Sequence, residues 1–207
     1  MKIAFGILLL LSLTNISSGQ ADSCFLMSGG KPCNLRIQGT NYHIGTNGLL
    51  LIKRPGKNDS EIRVNLPYNF YIDAVQYQMN DKNILFIFGI TDDESGSAIV
   101  ALLDPTNNRM PWSIDIYAFN PSPLLVSQGY IYVGGIGMVA KLNLSDGKII
   151  WQHKDLYERE TQAFSSFIMP LKEGNIIIFK EAKVSSAKYD GIREIRVDDT
   201  TGAIISK

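Results

Sequence analysis

The sequence has few of the residues from which most recognisable active sites are built. It contains two cysteines and two histidines among 207 residues. The histidines, His43 and His153, fall on separate predicted strands, and the cysteines lack the spacing of a zinc site. No Gly-x-Ser-x-Gly elbow and no phosphate-binding loop occurs. The sequence therefore predicts no catalytic motif, no metal site and no cofactor, although a catalytic triad scattered along the chain would escape such a search.

An excess of positive charge and a long apolar segment are also missing. The 20 basic residues are balanced by 20 acidic residues, whereas a nucleic-acid partner requires a basic surface. The N-terminal apolar run, Ile7 to Leu13, is far shorter than the roughly 20 residues that cross a bilayer. We therefore expect neither nucleic-acid binding nor a membrane span.

That apolar run lies in a segment with the three parts of a secretory signal. Lys2 supplies the positive start, the run follows, and the small residues Ser17, Gly19 and Ala21 fit a peptidase site. A buried N-terminal helix is the alternative. We interpret residues 1–21 as a signal peptide and expect a secreted or periplasmic protein. Removal of this segment takes away one lysine and no acid, which leaves a net charge of −1.

The two cysteines follow the predicted signal closely. In an exported chain, a pair such as Cys24 and Cys33 usually closes a small loop as a disulfide. Lipidation of Cys24 is the alternative, but polar residues precede this cysteine and the apolar run ends too far upstream. The sequence thus predicts a disulfide-closed segment at residues 22–39, followed by the main domain at residues 40–207.

The main domain repeats a pattern of short strands and tight turns. The clearest copy runs from Gly129 to Trp151, as three β-branched and aromatic stretches separated by turns of Gly, Asp and Ser. An upstream copy ends at Trp112, which precedes Trp151 by 39 residues. In that copy Asn108 falls at the position of Gly147, where we expect a positive φ.

Two more copies complete the repeat. One extends from Gly174 to Ile205, and a weaker one covers Asn41 to Leu66. Four strands in about 40 residues are typical of a propeller blade, so we predict an all-β chain that forms a small β-propeller of about four four-stranded blades. An ordinary antiparallel sandwich is the alternative. The additional strand that precedes each copy is predicted at Leu35–Ile37, Ile72–Tyr77, Pro123–Val126 and Ser166–Leu171.

The unit from Gly129 to Trp151 resembles the repeats of pyrroloquinoline-quinone-like (PQQ-like) β-propellers. Their pattern is a Tyr-Val-Gly strand, then Ala-Leu-Asp-x-x-Thr-Gly, then a strand that ends in Trp. The copy that ends at Trp112 also fits, whereas Ser206 replaces the closing tryptophan in the last copy. The resemblance implies a propeller fold, because the matched residues are packing and turn residues. It does not imply a quinone cofactor, since the quinone-binding members are much longer and hold a metal with acidic and amide residues that have no matching motif here.

In such a propeller, the turn between the second and third strands of a blade shares a face with the blade-to-blade connections. Two of these turns are predicted to be long, at residues 90–97 and 181–191, and the connections carry aromatic residues. Several of the aromatic side chains could instead fill the spaces between blades. The residues predicted to bind a partner on this face are Tyr68, Phe70, Asp92, Asp93, Glu94, Tyr117, Phe119, Tyr157, Tyr189 and Asp190.

These observations favour an exported, non-catalytic binding module whose partner is another protein, in a scaffold or inhibitor role. A glycan-binding module is one alternative, because aromatic rings also stack on sugars. A small exported enzyme that uses carboxylates such as Asp73 or Asp190 is the other. The edge strands also leave open an oligomer in which two chains pair into a larger ring.

Overall fold

The computed structural model describes residues 22–25, 32–92, 95–154, 156, 167–181 and 194–206, with residues 22–25 described by their backbone alone. The predicted signal peptide lies outside these ranges. Within them every regular element is a β-strand. No helix in this part of the chain is long and apolar enough to cross a membrane.

Sixteen of the seventeen strands in the described ranges build four antiparallel sheets, each made of four strands in chain order. The other strand, β1 (Asp22–Phe25), is an addition to the second sheet. The first sheet contains β2 (Cys33–Ile37), β3 (Thr40–Ile44), β4 (Leu49–Lys53) and β5 (Ser60–Arg63), and the second contains β6 (Tyr71–Asn80), β7 (Asn83–Thr91), β8 (Gly96–Asp104) and β9 (Arg109–Asp115). The third contains β10 (Leu125–Ser127), β11 (Tyr130–Gly135), β12 (Met138–Asn143) and β13 (Ile149–His153), and the fourth contains β14 (Leu171–Glu173), β15 (Ile176–Lys180), β16 (Glu194–Asp198) and β17 (Ile204–Ser206).

Three hydrophobic clusters hold consecutive sheets together. In β7, Phe86 and Phe88 pack towards the first sheet, whereas Leu85 and Ile87 pack towards the third. Because successive side chains of a strand point to opposite faces, the central strands of the middle sheets contribute apolar residues to both faces. A third cluster, around Phe179, joins the third and fourth sheets.

The end of this stack at the first sheet differs from its interior. Tyr42 and Leu50 are buried towards the second sheet, but alternate residues such as Asn34 and Arg36 are exposed on the opposite face. Among the described residues, no buried cluster joins the fourth sheet to the first. Four-stranded antiparallel sheets that follow one another along the chain are the blades of a small β-propeller, as predicted, while pairing into a larger ring stays a prediction.

The two tryptophans occupy equivalent positions, as the 39-residue offset predicts. Trp112 on β9 and Trp151 on β13 each donate an indole N–H to a backbone carbonyl of the next sheet, at 3.1 Å and 3.3 Å. Each ring also lies against a glycine of the turn before the last strand of that sheet, Gly147 or Gly202. Asn108, the counterpart of these glycines, has a positive φ of 50°. The predicted turn equivalence is confirmed.

Two details differ from the sequence-based expectation. The turn at residues 90–97 was predicted to be long, but it is short. Strand β7 continues to Thr91 and β8 begins at Gly96, and the Asp92 N–H donates a hydrogen bond to the Ser95 carbonyl across the hairpin. The segment at residues 22–39 is divided between two sheets: β1 pairs with β6 of the second sheet, and β2 is the first strand of the first sheet. The first blade therefore begins ahead of the predicted domain boundary at residue 40, with the strand that was predicted at Leu35–Ile37.

Candidate functional site

The blade-to-blade connections lie at the end of the sheets that also carries the turns between second and third strands. In the first sheet, Val64 N–H bonds to the Gly48 carbonyl and Ile72 N–H to the Thr46 carbonyl. In the second sheet the Ser97 hydroxyl donates to the Asp115 carboxylate. We call this end, formed by residues 64–70, 92, 95, 96 and 116–122, the connection face. The sequence-based sorting of these segments onto one side is confirmed.

The segment at residues 116–122 is fixed firmly on this face. Its first part is held by the Tyr117 N–H, which donates to Asp115 Oδ1 at 2.7 Å. Further along, the Phe119 carbonyl accepts a hydrogen bond of 2.8 Å from the Ile136 N–H of the third sheet. Ser122 and Gly134 exchange two bonds, of 2.7 Å and 3.0 Å. The aromatic residues of this segment are therefore presented on an ordered backbone.

Two aromatic rings of this segment face solvent. Tyr117 is 64% exposed, and its ring lies 4.1 Å from the Lys154 ammonium group. Phe119 is 50% exposed, and its ring lies directly against Gly96, where a larger residue would collide with it. Exposed aromatic groups on a rigid support are common anchors in protein interfaces.

A cleft of about 220 Å³ opens beside the Phe119 ring, between strands of the second sheet and the connection at residues 119–121. Its walls combine apolar surface with a few polar groups. One of them, the Gln76 side-chain amide, donates to the Pro121 carbonyl at 3.3 Å. The lining residues are Asp73, Ala74, Gln76, Ile87, Gly89, Ile90, Ser97, Phe119, Asn120 and Pro121.

Asp73 is the carboxylate of this cleft. It sits at a register shift between Ile72 and Ala74, where β6 departs from regular pairing with β7. Gly89 makes room for it, since a Cβ atom at Gly89 would lie 2.8 Å from the Asp73 carboxylate oxygen. Burial raises the pKa of Asp73 above its ordinary value, and hydrogen bonds from its own backbone and that of Ala74 only partly offset this effect.

The predicted partner-binding residues have different surroundings. Tyr68 is 91% exposed on the connection face, whereas Phe70 packs against the first hydrophobic cluster and serves the core. The Asp92 carboxylate accepts hydrogen bonds from the Ser95 backbone and hydroxyl, so it shapes its turn. Five predicted residues lie outside the described ranges: Asp93, Glu94, Tyr157, Tyr189 and Asp190.

A second polar cluster, which the sequence analysis missed, lies between the third and fourth sheets. Asp199 accepts hydrogen bonds from Lys141, at 2.6 Å, from the Tyr132 hydroxyl, at 2.7 Å, and from Lys172. Burial alone would raise the pKa of Asp199, but these bonds outweigh it and lower the pKa to about 2. Burial and the bond to Asp199 raise the pKa of Tyr132. The feature of the sequence that could have indicated this cluster is Lys141, a charged residue within the otherwise apolar strand β12.

The contacts of this cluster give it a structural role. Lys141 lies 4.0 Å from the centre of the Tyr130 ring and also donates to the Asp199 backbone carbonyl at 2.8 Å. Its donors are thus occupied within the protein. Neither here nor elsewhere in the described ranges do three or more His, Cys, Asp or Glu side chains come together as metal ligands would.

Comparison with known proteins adds a likeness of fold. No protein-family model matches the chain, and no curated protein matches it. A quinohemoprotein alcohol dehydrogenase, ADHIIG from Pseudomonas putida HK5, superimposes with a TM-score of 0.48 at 14% identity, over 91% of this chain and 35% of the dehydrogenase. The chain thus spans about a third of the length of that enzyme.

Two other solved structures are similar at lower scores. The GH43_1 enzyme from Xanthomonas citri, solved with xylotriose, has a TM-score of 0.41 at 13% identity, over 88% of this chain and 74% of the enzyme. Saccharomyces cerevisiae Sqt1 has a TM-score of 0.35 at 8% identity, over 86% of this chain and 70% of Sqt1. At such identities these likenesses concern the fold and carry no functional assignment.

Proposed function

We propose that the chain is an exported β-propeller module that binds a protein partner through its connection face. The observation that carries this proposal is the pair Tyr117 and Phe119, which remain exposed on a segment fixed by hydrogen bonds to two sheets. Ordered aromatic side chains lose little conformational entropy on binding and contribute a large contact area. Tyr68 extends the same surface towards the first sheet.

The size of the cleft favours a protein over a small molecule. Small-molecule pockets are usually about 300–1,000 Å³, whereas the cleft beside Phe119 measures about 220 Å³. A partner that covers the exposed rings and inserts one side chain into the cleft would use both features. A glycan would have to be held mainly by the rings.

Export and a disulfide between Cys24 and Cys33 belong to the same proposal. Cys24 pairs in register with Val75 of β6, and Val75 belongs to the same buried cluster as Cys33. A bond between these cysteines would join the first two sheets and restrain β1. Intact-mass measurement of the protein recovered from the cell exterior, before and after reduction and alkylation, tests both the cleavage after residue 21 and the disulfide.

We further propose that the repeats are related to those of PQQ-like propellers, without the cofactor. The support is the docking of Trp112 and Trp151 onto the following turns. Because neither tryptophan lies on the connection face, this relationship concerns blade packing. The proposed relationship therefore does not extend to the connection face, through which the partner would bind.

The test of the binding role is affinity capture from native extracellular or envelope material, followed by measurement of the affinity for the purified partner. We expect the double variant Tyr117→Ala, Phe119→Ala to bind at least about tenfold more weakly, as for truncated interface anchors. Ile150→Ala is the matched control, because Ile150 is exposed on β13, away from the connection face. The control should bind as the wild type does.

Two results would contradict the proposal. One is unchanged partner binding by the double variant when its thermal unfolding matches that of the wild type. The other is saturable binding on a glycan array that depends on Tyr117 and Phe119, in the absence of any protein partner. The second result would establish the glycan-binding alternative.

A further inference from the structure

We propose that the cleft beside Asp73 receives an arginine side chain of the protein partner. This inference rests on the proposed function and names the chemistry that the connection face recognises. It follows from four features of the cleft: a carboxylate that no cation of the described residues pairs with, a carbonyl acceptor, an exposed aromatic ring and a volume suited to one long side chain.

The carboxylate is the first feature. Among the residues that the structure describes, no lysine, arginine or histidine forms an ion pair with Asp73. Its hydrogen bonds come from the backbone of Asp73 and Ala74. A partly buried carboxylate is desolvated at a cost that a bound cation would offset. Asp199, by contrast, has two lysine partners. Its charge is compensated within the protein, whereas no described cation compensates the charge of Asp73.

The surrounding charge also favours a cation. Asp115, at the end of β9, accepts hydrogen bonds from Ser97 and Tyr117 and lies on the same face as Asp73. Lys154, a cation on the same face, lies over the Tyr117 ring. Ser97, which donates to Asp115, lines the cleft, so a positively charged group that enters it meets the Asp73 carboxylate and lies one hydrogen bond away from Asp115.

The Pro121 carbonyl and the Phe119 ring favour arginine over lysine as the bound side chain. Asp73 and Pro121 both line the cleft, and within the described part of the chain the Pro121 carbonyl accepts a single long bond, of 3.3 Å, from Gln76. A guanidinium group has five N–H donors in a planar fork, so it can donate to a carboxylate and a carbonyl at once. Its flat face also stacks on aromatic rings, and half of the Phe119 surface is free for such a contact.

The shape of the cleft fits a side chain that is apolar along its stem. Ala74, Ile87 and Ile90 form part of the walls, while Asp73 supplies the charge. Arginine buries its methylene groups against apolar surface and keeps its charged head for polar partners. The volume of about 220 Å³ is below the usual range for small-molecule ligands and suits a single inserted side chain.

The experiment uses the full mature protein and blocked Gly-Arg-Gly tripeptide, with binding followed by NMR chemical-shift changes. The comparison probe is the same tripeptide with citrulline, which keeps the shape of arginine and lacks its charge. We expect saturable binding of the arginine peptide that perturbs β6 and the segment at residues 116–122. The citrulline peptide should bind at least about tenfold more weakly, because charge-assisted hydrogen bonds are roughly twice as strong as neutral ones.

Two variants test the role of the carboxylate. Asp73→Asn should weaken the arginine peptide about tenfold or more. Gly89→Ala is the second variant, since its new Cβ would lie 2.8 Å from the Asp73 carboxylate oxygen and displace the group while its charge is kept; it should also weaken binding. The matched control is Asp81→Asn in the β6–β7 turn, at the opposite end of the same hairpin, where asparagine tolerates the positive φ of 52°. This control should leave binding unchanged.

The proposal is overturned if the wild type does not bind the arginine peptide, if the citrulline peptide binds equally, or if folded Asp73→Asn binds as the wild type does. These failures are distinct from failure of the proposed function. A partner that still requires Tyr117 and Phe119 but is insensitive to Asp73→Asn would retain the connection face as the interface and reject arginine recognition.

Discussion

Lys141 Nζ lies 2.6 Å from Asp199 Oδ1, and the side chains of the two residues are only 7% and 10% exposed. The pair joins β12 of the third sheet to the turn that follows β16 in the fourth. The Tyr132 hydroxyl and Lys172 complete the coordination of the carboxylate. A buried pair of this kind adds little net stability over an apolar contact, but removal of one member leaves a charge without compensation.

We therefore expect Asp199→Ala to lower the free energy of unfolding by about 3–5 kcal/mol. The variant leaves the buried Lys141 ammonium group without its carboxylate, and Tyr132 without its acceptor. Urea denaturation followed by far-UV circular dichroism measures the change.

The matched control is Asp59→Ala. Asp59 pairs with Lys53 at 3.7 Å, but both side chains are about half exposed, and such surface pairs contribute about 0–1 kcal/mol. Equal losses in the two variants would mean that burial of the Lys141–Asp199 pair is unimportant.

The same pair predicts a dependence of stability on pH. The pKa of Asp199 is lowered to about 2 in the folded protein, against an ordinary value of 3.8. A carboxyl group with a lowered folded pKa stabilises the fold fully above its unfolded pKa, and this contribution is lost as the pH falls from about 3.8 towards 2. The loss corresponds to about 2 kcal/mol.

The measurement compares the wild type with Asp199→Asn across the acid range. Asp104, Asp146 and Asp198 also have lowered pKa values, through hydrogen bonds within their turns, so the wild type loses stability in acid from several groups. Subtracting the free energy of unfolding of the variant from that of the wild type at each pH isolates the contribution of Asp199. The difference between the two proteins should shrink as the pH falls, and a constant difference would contradict the assignment.

The blades could be predicted from the sequence because their determinants are local. Tight turns need glycine or asparagine at positive φ, so Gly147 and Asn108 mark equivalent places. Alternating or continuous apolar stretches between such turns define strands. The equivalence of Trp112 and Trp151 was also implied by their 39-residue offset, whereas the turn against which each ring packs was not.

The polar sites could not be predicted in the same way, because they depend on which blades become neighbours. Lys141 and Asp199 are 58 residues apart, and nothing near Lys141 in the sequence identifies its partner. Asp73 was a candidate carboxylate, but its cleft depends on the register shift in β6 and on the space above Gly89. The pairing of β1 with β6 likewise joins segments that are distant in the sequence.

The tryptophan docking leads to a prediction at Gly147. Its φ is 72°, and an added Cβ would lie 2.6 Å from the Trp112 ring. Gly147→Ala should therefore destabilise the protein by the backbone strain of about 1–2 kcal/mol plus the cost of displacing Trp112, and it should shift the tryptophan fluorescence.

Gly129→Ala separates these two effects. Gly129 has a φ of 80°, but nothing lies within 4 Å of an added Cβ, so only the backbone strain applies. Chemical denaturation of both variants should show the larger loss for Gly147→Ala. If the two losses were equal, the ring contact would not constrain the turn.

The last prediction concerns the free protein and the Asp73 cleft. Burial raises the pKa of Asp73 above 3.8, so the folded protein holds this proton more tightly than the unfolded chain does. Stability is then lost as the pH rises through the folded pKa, and the ionised carboxylate remains unfavourable at neutral pH. Asp73→Asn should consequently raise the free energy of unfolding at neutral pH, and the gain should disappear in acid, where the wild-type carboxyl is protonated.

Asp81→Asn, at the exposed turn of the same hairpin, should show no such gain. Denaturation curves at neutral and acidic pH test both variants. A residue that costs stability in the free protein and improves binding of a cation has the trade-off expected of a functional site. If Asp73→Asn is destabilising at neutral pH, the carboxylate already has a stabilising partner within the protein, and its role is structural.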